Sequence, residues 1–147
     1  MTFECAFLES ADPKTLSPAS LDLVLFLECL HDIPDPAAVL TAARKLLRPG
    51  GVVVVVDERI EEKLTDMLPR DPIRSTLYSD NPANFLARLN YSFSTLHCLP
   101  CSMSQPNARA VSTAIRPRYV KAFAQEAGFK SCELAYTADF FKVYRLE

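Results

Sequence analysis

Residues 52–56 are five consecutive valines, and they limit the folds open to this chain more than any other stretch. Branching at Cβ costs rotamer freedom in a helix and suits the pleated surface of a sheet. The run has no polar alternation, so both faces of this strand meet apolar neighbours, as in the interior of a parallel sheet. A parallel partner must be reached through a crossover, and the preceding residues read as one. Leu21–Leu27 (LDLVLFL) is apolar apart from Asp22. Residues 31–36 (HDIPDP) form a loop in which Asp35 is a good N-cap and Pro36 suits the first helical position. Val39, Ala43, Leu46 and Leu47 then recur at helical spacing over residues 37–47, and Pro49-Gly50-Gly51 is read as the stop. The expectation over residues 21–57 is therefore a strand, loop, helix, turn and strand that ends in Asp57.

The rest of the chain is read around that unit. Residues 2–8 (TFECAFL) are an expected strand, and residues 9–20 a polar connection. Residues 58–80 are charged and interrupted by prolines, which suits a lid or a partly helical linker. Phe85, Leu89, Phe93 and Leu96 predict a helix over 82–99 with those four on its apolar face, followed by a loop to Arg116. A helix over 116–127 should bury Tyr119, Val120, Phe123 and Ala124, with Gly128 after it. Residues 129–136 and 140–146 alternate enough for two strands, and their short link makes them antiparallel. No domain boundary is visible, so residues 1–147 are read as one domain in which 58–116 is a variable insert.

Bulk properties narrow the function classes. A net charge of −2 gives no electrostatic drive toward nucleic acid or anionic membrane. No apolar run reaches a membrane span, and no basic-then-apolar signal segment follows Met1. The five cysteines are odd in number and scattered, so they read as free thiols of a reduced, cytoplasmic protein.

Among chemistry-bearing residues, His31-Asp32 is the best acid/base pair. His31 titrates near neutral pH, and Asp32 or Asp35 is placed to orient it. The alternative is that His31 only fastens its loop. An HD-type metal phosphohydrolase would need further histidines, and the chain has only His31 and His97. Cys98 and Cys101 form a C-x-x-C, but a zinc ribbon needs a second such pair, which is absent. Arg116 could bind an acidic group on a substrate, although an arginine at a helix start is commonly a surface residue.

The words LDLVLFLECLHDIPDP at 21–36, LLRPGGVVVVVDE at 46–58 and FAQEAGF at 123–129, in this order and spacing, resemble the C-terminal two-thirds of a class I S-adenosylmethionine-dependent methyltransferase. Residues 92–129 resemble its small-molecule branch. The resemblance implies an α/β, partial Rossmann-like fold: a mostly parallel sheet with a C-terminal antiparallel strand pair. The family sheet runs in the order 3-2-1-4-5-7-6. The family's glycine-rich cofactor turn has no counterpart here, because the only glycines are Gly50, Gly51 and Gly128. A truncated domain is thus expected, one that binds the cofactor weakly by itself. The strand at 2–8 would then pair directly with Leu21–Leu27, or Leu21–Leu27 would be an open edge that recruits a second copy or a complementary chain. A third possibility is a poorly stable fragment. The resemblance implies S-adenosyl-L-methionine as cofactor, a small-molecule acceptor and particular site residues. Glu9 and Ser10 would lie near the adenine, and Leu27, Glu28 and Cys29 near the methionine and sulfonium. His31 and Asp32 would face the acceptor, and His97 and Met103 would line its pocket. Asp57 and Glu58 would face the same cleft.

Overall fold

The computed structural model describes Leu8, residues 16–67 and residues 82–147. Its centre is a four-stranded sheet. Strand β1 (Leu21–Leu27) leads through helix α1 (Pro36–Leu46) to β2 (Leu47–Glu58), and these two strands pair in parallel, Val24 beside Val53 and Phe26 beside Val55. After α2 (Pro82–Phe93), α3 (Leu99–Met103) and α4 (Pro117–Glu126), the strands β3 (Cys132–Thr137) and β4 (Phe141–Leu146) form an antiparallel hairpin. Strand β4 returns beside β2 in antiparallel sense, giving the order β1-β2-β4-β3. That order is the 4-5-7-6 half of the sheet implied by the resemblance. The described strands make one parallel and two antiparallel pairings. The expected strand at 2–8 lies outside the described residues apart from Leu8.

Alternation along the strands sorts the two faces of the sheet. Phe26, Val53, Val55, Tyr144 and Leu146 share one face and are buried. They meet Val39, Leu40 and Ala43 of α1 and Val120, Phe123 and Ala124 of α4 in a single core. On the other face Leu23, Leu25 and Leu27 stay about half exposed, and β1 has β2 as its only strand partner among the described residues. The valine run is thus enclosed on one face and only partly covered on the other.

Three boundaries depart from the sequence expectation. Helix α1 ends at Leu46, before the Pro-Gly-Gly, and β2 begins at Leu47. A residue preceding proline is driven out of the helical region, so Arg48 leaves the helix before Gly50 is reached. Gly50, at φ 85°, sits in an irregular stretch where the pairing moves from Leu21–Leu47 to Leu23–Val52. The second departure is length: the helical segment expected to stop near Leu99 continues through a π-helical turn, Ser94–Cys98, into α3. The third is which face it buries. Phe85, Phe93 and Leu96 are exposed, while Leu86, Ala87, Asn90, Ser94 and Cys98 are buried. Hydrogen bonds hold the polar members of that face. Ser94 pairs with Ser112 at 2.5 Å, Thr113 donates to the Asn90 carbonyl at 3.0 Å, and Ser102 donates to the Val111 carbonyl at 2.7 Å. Segment 111–113 is laced against α2 and α3 in this way. On α4, Val120, Phe123 and Ala124 are buried as expected, but Tyr119 is exposed.

A buried lysine fixes the chain as it leaves β2. Lys142 of β4 donates to the Ile60 carbonyl and to Glu61, both at 2.7 Å.

The Asp35 carboxylate accepts from the backbone of Ala37 and Ala38, capping α1. Replacing it with alanine leaves those amides without their partner and should cost about 1 kcal/mol, read as a lower midpoint in urea with unchanged slope.

Candidate active site

Open α/β sheets present ligands at the carboxyl ends of their strands, and here both parallel strands end in acidic residues. At the end of β1, Glu28 takes a left-handed backbone conformation, φ 51°, while its amide still bonds the Val56 carbonyl at 2.8 Å. For a residue with a Cβ this conformation costs on the order of 1 kcal/mol, so the chain turns sharply at the strand end. The turn delivers Leu30–Asp32, one 3-10 turn, over the end of β2.

His31 is 3% exposed and Asp57 is wholly buried. The His31 Nδ1 lies 2.5 Å from Asp57 Oδ1 and 3.1 Å from Glu58 Oε2. Asp57 Oδ1 also accepts the Glu58 amide at 3.0 Å, whereas Oδ2 has no hydrogen-bond partner. The other ring nitrogen, Nε2, faces the exposed Asp32 carboxylate at 3.3 Å. The orienting group on Nδ1 is therefore Asp57, with Glu58 beside it; neither Asp32 nor Asp35 holds that nitrogen.

Two carboxylates close to one imidazole redistribute protons. Burial alone would lower the His31 pKa, but hydrogen bonds and charge from Asp57 and Glu58 outweigh it and push the pKa up to about 11. Burial raises Asp57, His31 draws it back, and its neighbour Glu58 adds to the rise, leaving it near about 7. Burial also opposes ionisation of Glu58, but hydrogen bonds from His31 and Asp57 win and lower it to about 2. At neutral pH the cluster is an imidazolium held by one firm carboxylate and one that readily takes a proton.

A cavity of about 330 Å³ opens above this cluster. Glu28, His31 and Glu58 line one side of it, and Asn90, Cys98 and Thr113 another. Phe93, Phe140 and Phe141 supply aromatic surface. The Arg59 amide bonds the Phe140 carbonyl at 2.7 Å, which draws the β3–β4 turn up to the end of β2. Burial raises the Cys98 thiol, and Asp32 adds to the effect through a hydrogen bond and its charge.

Not every residue expected at the site reaches this cavity. His31, Glu28 and Glu58 line it, and Asp32 stands at its edge through Nε2 of His31. Cys29 is half-buried against the core, and the Leu27 side chain is exposed. His97 is exposed, with Nδ1 3.8 Å from Cys101 Sγ; its neighbour Cys98 takes the inward position. Met103 is exposed at the end of α3, and Arg116 precedes α4 as its N-cap; neither lines the cavity. Glu9 and Ser10 lie outside the described residues. Asn90 and Thr113 were not anticipated as site residues. The only available signal was polar residues inside an otherwise helical apolar pattern.

A family model described as "Methyltransferase domain" matches residues 1–128. This chain belongs to the methyltransferase domain family. A curated relative, the ubiquinone biosynthesis O-methyltransferase of Thiobacillus denitrificans, is 28% identical over 142 residues, covering 95% of this chain and 50% of the relative. Among solved structures, the CMeT domain of the citrinin polyketide synthase superposes with a TM-score of 0.63 at 13% identity, covering 99% of this chain and 32% of that one. Human N-acetylserotonin methyltransferase superposes with a TM-score of 0.59 at 17% identity, with the same two coverages. The methyltransferase chain thus shares the fold of these proteins and spans half or less of their length.

Removing His31 from the methyltransferase cluster leaves two buried carboxylates facing each other. His31→Ala should cost about 3 kcal/mol near pH 6 in urea unfolding. The signs are opposite at the two ends of the pH range. His31, raised from 6.5 to about 11, stabilises fully below 6.5 and loses that contribution as pH rises through 11. Glu58, lowered from 4.5 to about 2, stabilises above 4.5 and loses its contribution as pH falls through 2. Asp57, raised from 3.8 to about 7, contributes below 3.8 and loses this as pH rises through 7. The gap between wild type and His31→Ala should therefore narrow toward both extremes of pH.

Proposed function

We propose that this chain forms the acceptor side of an S-adenosylmethionine-dependent methyltransferase acting on a small molecule, with His31 as the group that manages the acceptor proton. One observation carries the reading: a buried histidine, clamped through Nδ1 by Asp57 and Glu58, lines a ligand-sized cavity at the strand ends. The chemistry of the lining fits a sulfonium cofactor, because Glu28 and Glu58 bring carboxylates to that cavity with no lysine or arginine among its lining residues. Leu27, Glu28 and Cys29 would hold its methionine end. The cofactor supplies, when bound, an electrophilic methyl group on a positively charged sulfur.

His31 presents Nε2 to the acceptor while Nδ1 stays fixed. Its pKa of about 11 lies above that of an ordinary phenol, near 10, so the proton shared between ring and phenol rests on the nitrogen. The acceptor oxygen is thereby held as an anion, the form that attacks an electrophilic carbon. Asp57 and Glu58 stabilise the imidazolium beneath it. Rejecting bulk water from that contact falls to the phenylalanine wall. The setting is cytoplasmic, in keeping with unpaired thiols. No helix of the described residues is long and apolar enough to cross a membrane.

A second reading has its own observation. The exposed Leu23, Leu25 and Leu27 on a strand with one neighbour suit a non-catalytic module that pairs with a second copy or a complementary chain. Isothermal titration with S-adenosylhomocysteine, after the mass in solution is determined, separates the two. Micromolar binding supports the enzyme; a folded chain that oligomerises but does not bind supports the module. With the enzyme reading, His31→Gln should lower methyl transfer to a phenolic acceptor by about 10²–10⁴-fold. Wild-type turnover should rise with pH above neutrality, as the acceptor proton is lost, when followed by mass spectrometry of the methylated product.

A further inference from the structure

The cavity carries a group that the proton chemistry does not use. Asn90 is 5% exposed, lines the cavity, and its Nδ2 has no hydrogen-bond partner. An amide donor left unpaired in such a place is costly, and the cost is recovered when an oxygen of a ligand accepts from it. The aromatic wall is similarly unfinished: Phe93 is 52% exposed and Phe140 is 49% exposed although both line the cavity. Flat apolar surface waiting to be covered suits a planar ring. The charges are one-sided. Glu28 and Glu58 face the cavity, and its one cation, His31, is already neutralised by Asp57 and Glu58. Arg116, which might have received an acidic substrate, is elsewhere.

Resting on the acceptor-side reading above, we infer that the cavity selects an uncharged, planar hydroxyarene bearing a second, neutral oxygen that accepts from Asn90 Nδ2, and rejects the corresponding carboxylate. Asn90 acts as a specificity residue, and Glu28 acts as the charge filter.

The test is a nuclear magnetic resonance titration of the whole chain at neutral pH with three probes: 4-hydroxyacetophenone, 4-hydroxybenzoate and 4-ethylphenol, each with its meta isomer. The neutral ketone of at least one isomer should bind about three- to tenfold more tightly than the ethyl compound, the effect of one hydrogen bond, and at least about tenfold more tightly than the carboxylate. Asn90→Leu should abolish the preference for ketone over ethyl while ethylphenol still binds, an outcome that general unfolding would not produce. Glu28→Gln should narrow the gap between carboxylate and ketone. Equal or tighter binding of the carboxylate by the wild type overturns the inference, and so does an unchanged ketone preference in Asn90→Leu, or binding of none of the probes. Because the readout is binding, the predicted order without methyl transfer in the presence of cofactor would uphold this inference and sink the catalytic reading; methyl transfer without the order would do the reverse.

Discussion

The contact between His31 Nδ1 and Asp57 Oδ1 organises this half of the molecule. Asp57 sits on the core-facing side of β2, two residues beyond Val55, where a charge with no partner would be intolerable. The imidazole supplies that partner and in return is held in one orientation. The sharp turn at Glu28 is what brings the histidine over the strand end. The backbone strain there and the buried carboxylate are thus two costs met by one arrangement, and the same arrangement leaves Nε2 facing outward.

Much of the fold was legible because it depends on local pattern. The LDLVLFL run gave β1 with its observed bounds, Asp35-Pro36 marked the start of α1, and the valine run lay within β2. The terminal hairpin followed from its short link. The path over 82–103 was harder to read. Phe85, Leu89, Phe93 and Leu96 make a convincing apolar stripe, yet Phe85, Phe93 and Leu96 are exposed, because hydrogen bonds to Ser112 and Thr113 favour burial of the face that carries Ser94 and Asn90. Periodicity weighs hydrophobicity and cannot see partners some twenty residues away in sequence.

The site was legible in part for a related reason. His31 stood out by its chemistry, but its orienting carboxylate was sought among near neighbours, Asp32 and Asp35. The residue that holds Nδ1 lies 26 positions on, at the end of the next parallel strand. Adjacent parallel strands finish at the same edge of the sheet, so strand ends distant in sequence converge there. A motif confined to one loop does not record that convergence.

The π-helical turn at Ser94–Cys98 has a consequence for how such a wall can change. A π-turn takes up one more residue than an α-helical turn, so it offsets everything after it by about 100° around the axis. Cys98 points inward and His97 outward in the register that follows. Loss of one residue within this turn would leave α2 and Asn90 in place while rotating α3 to show the cavity a different side chain. Length variation here is therefore a route to a new lining that requires no substitution within it.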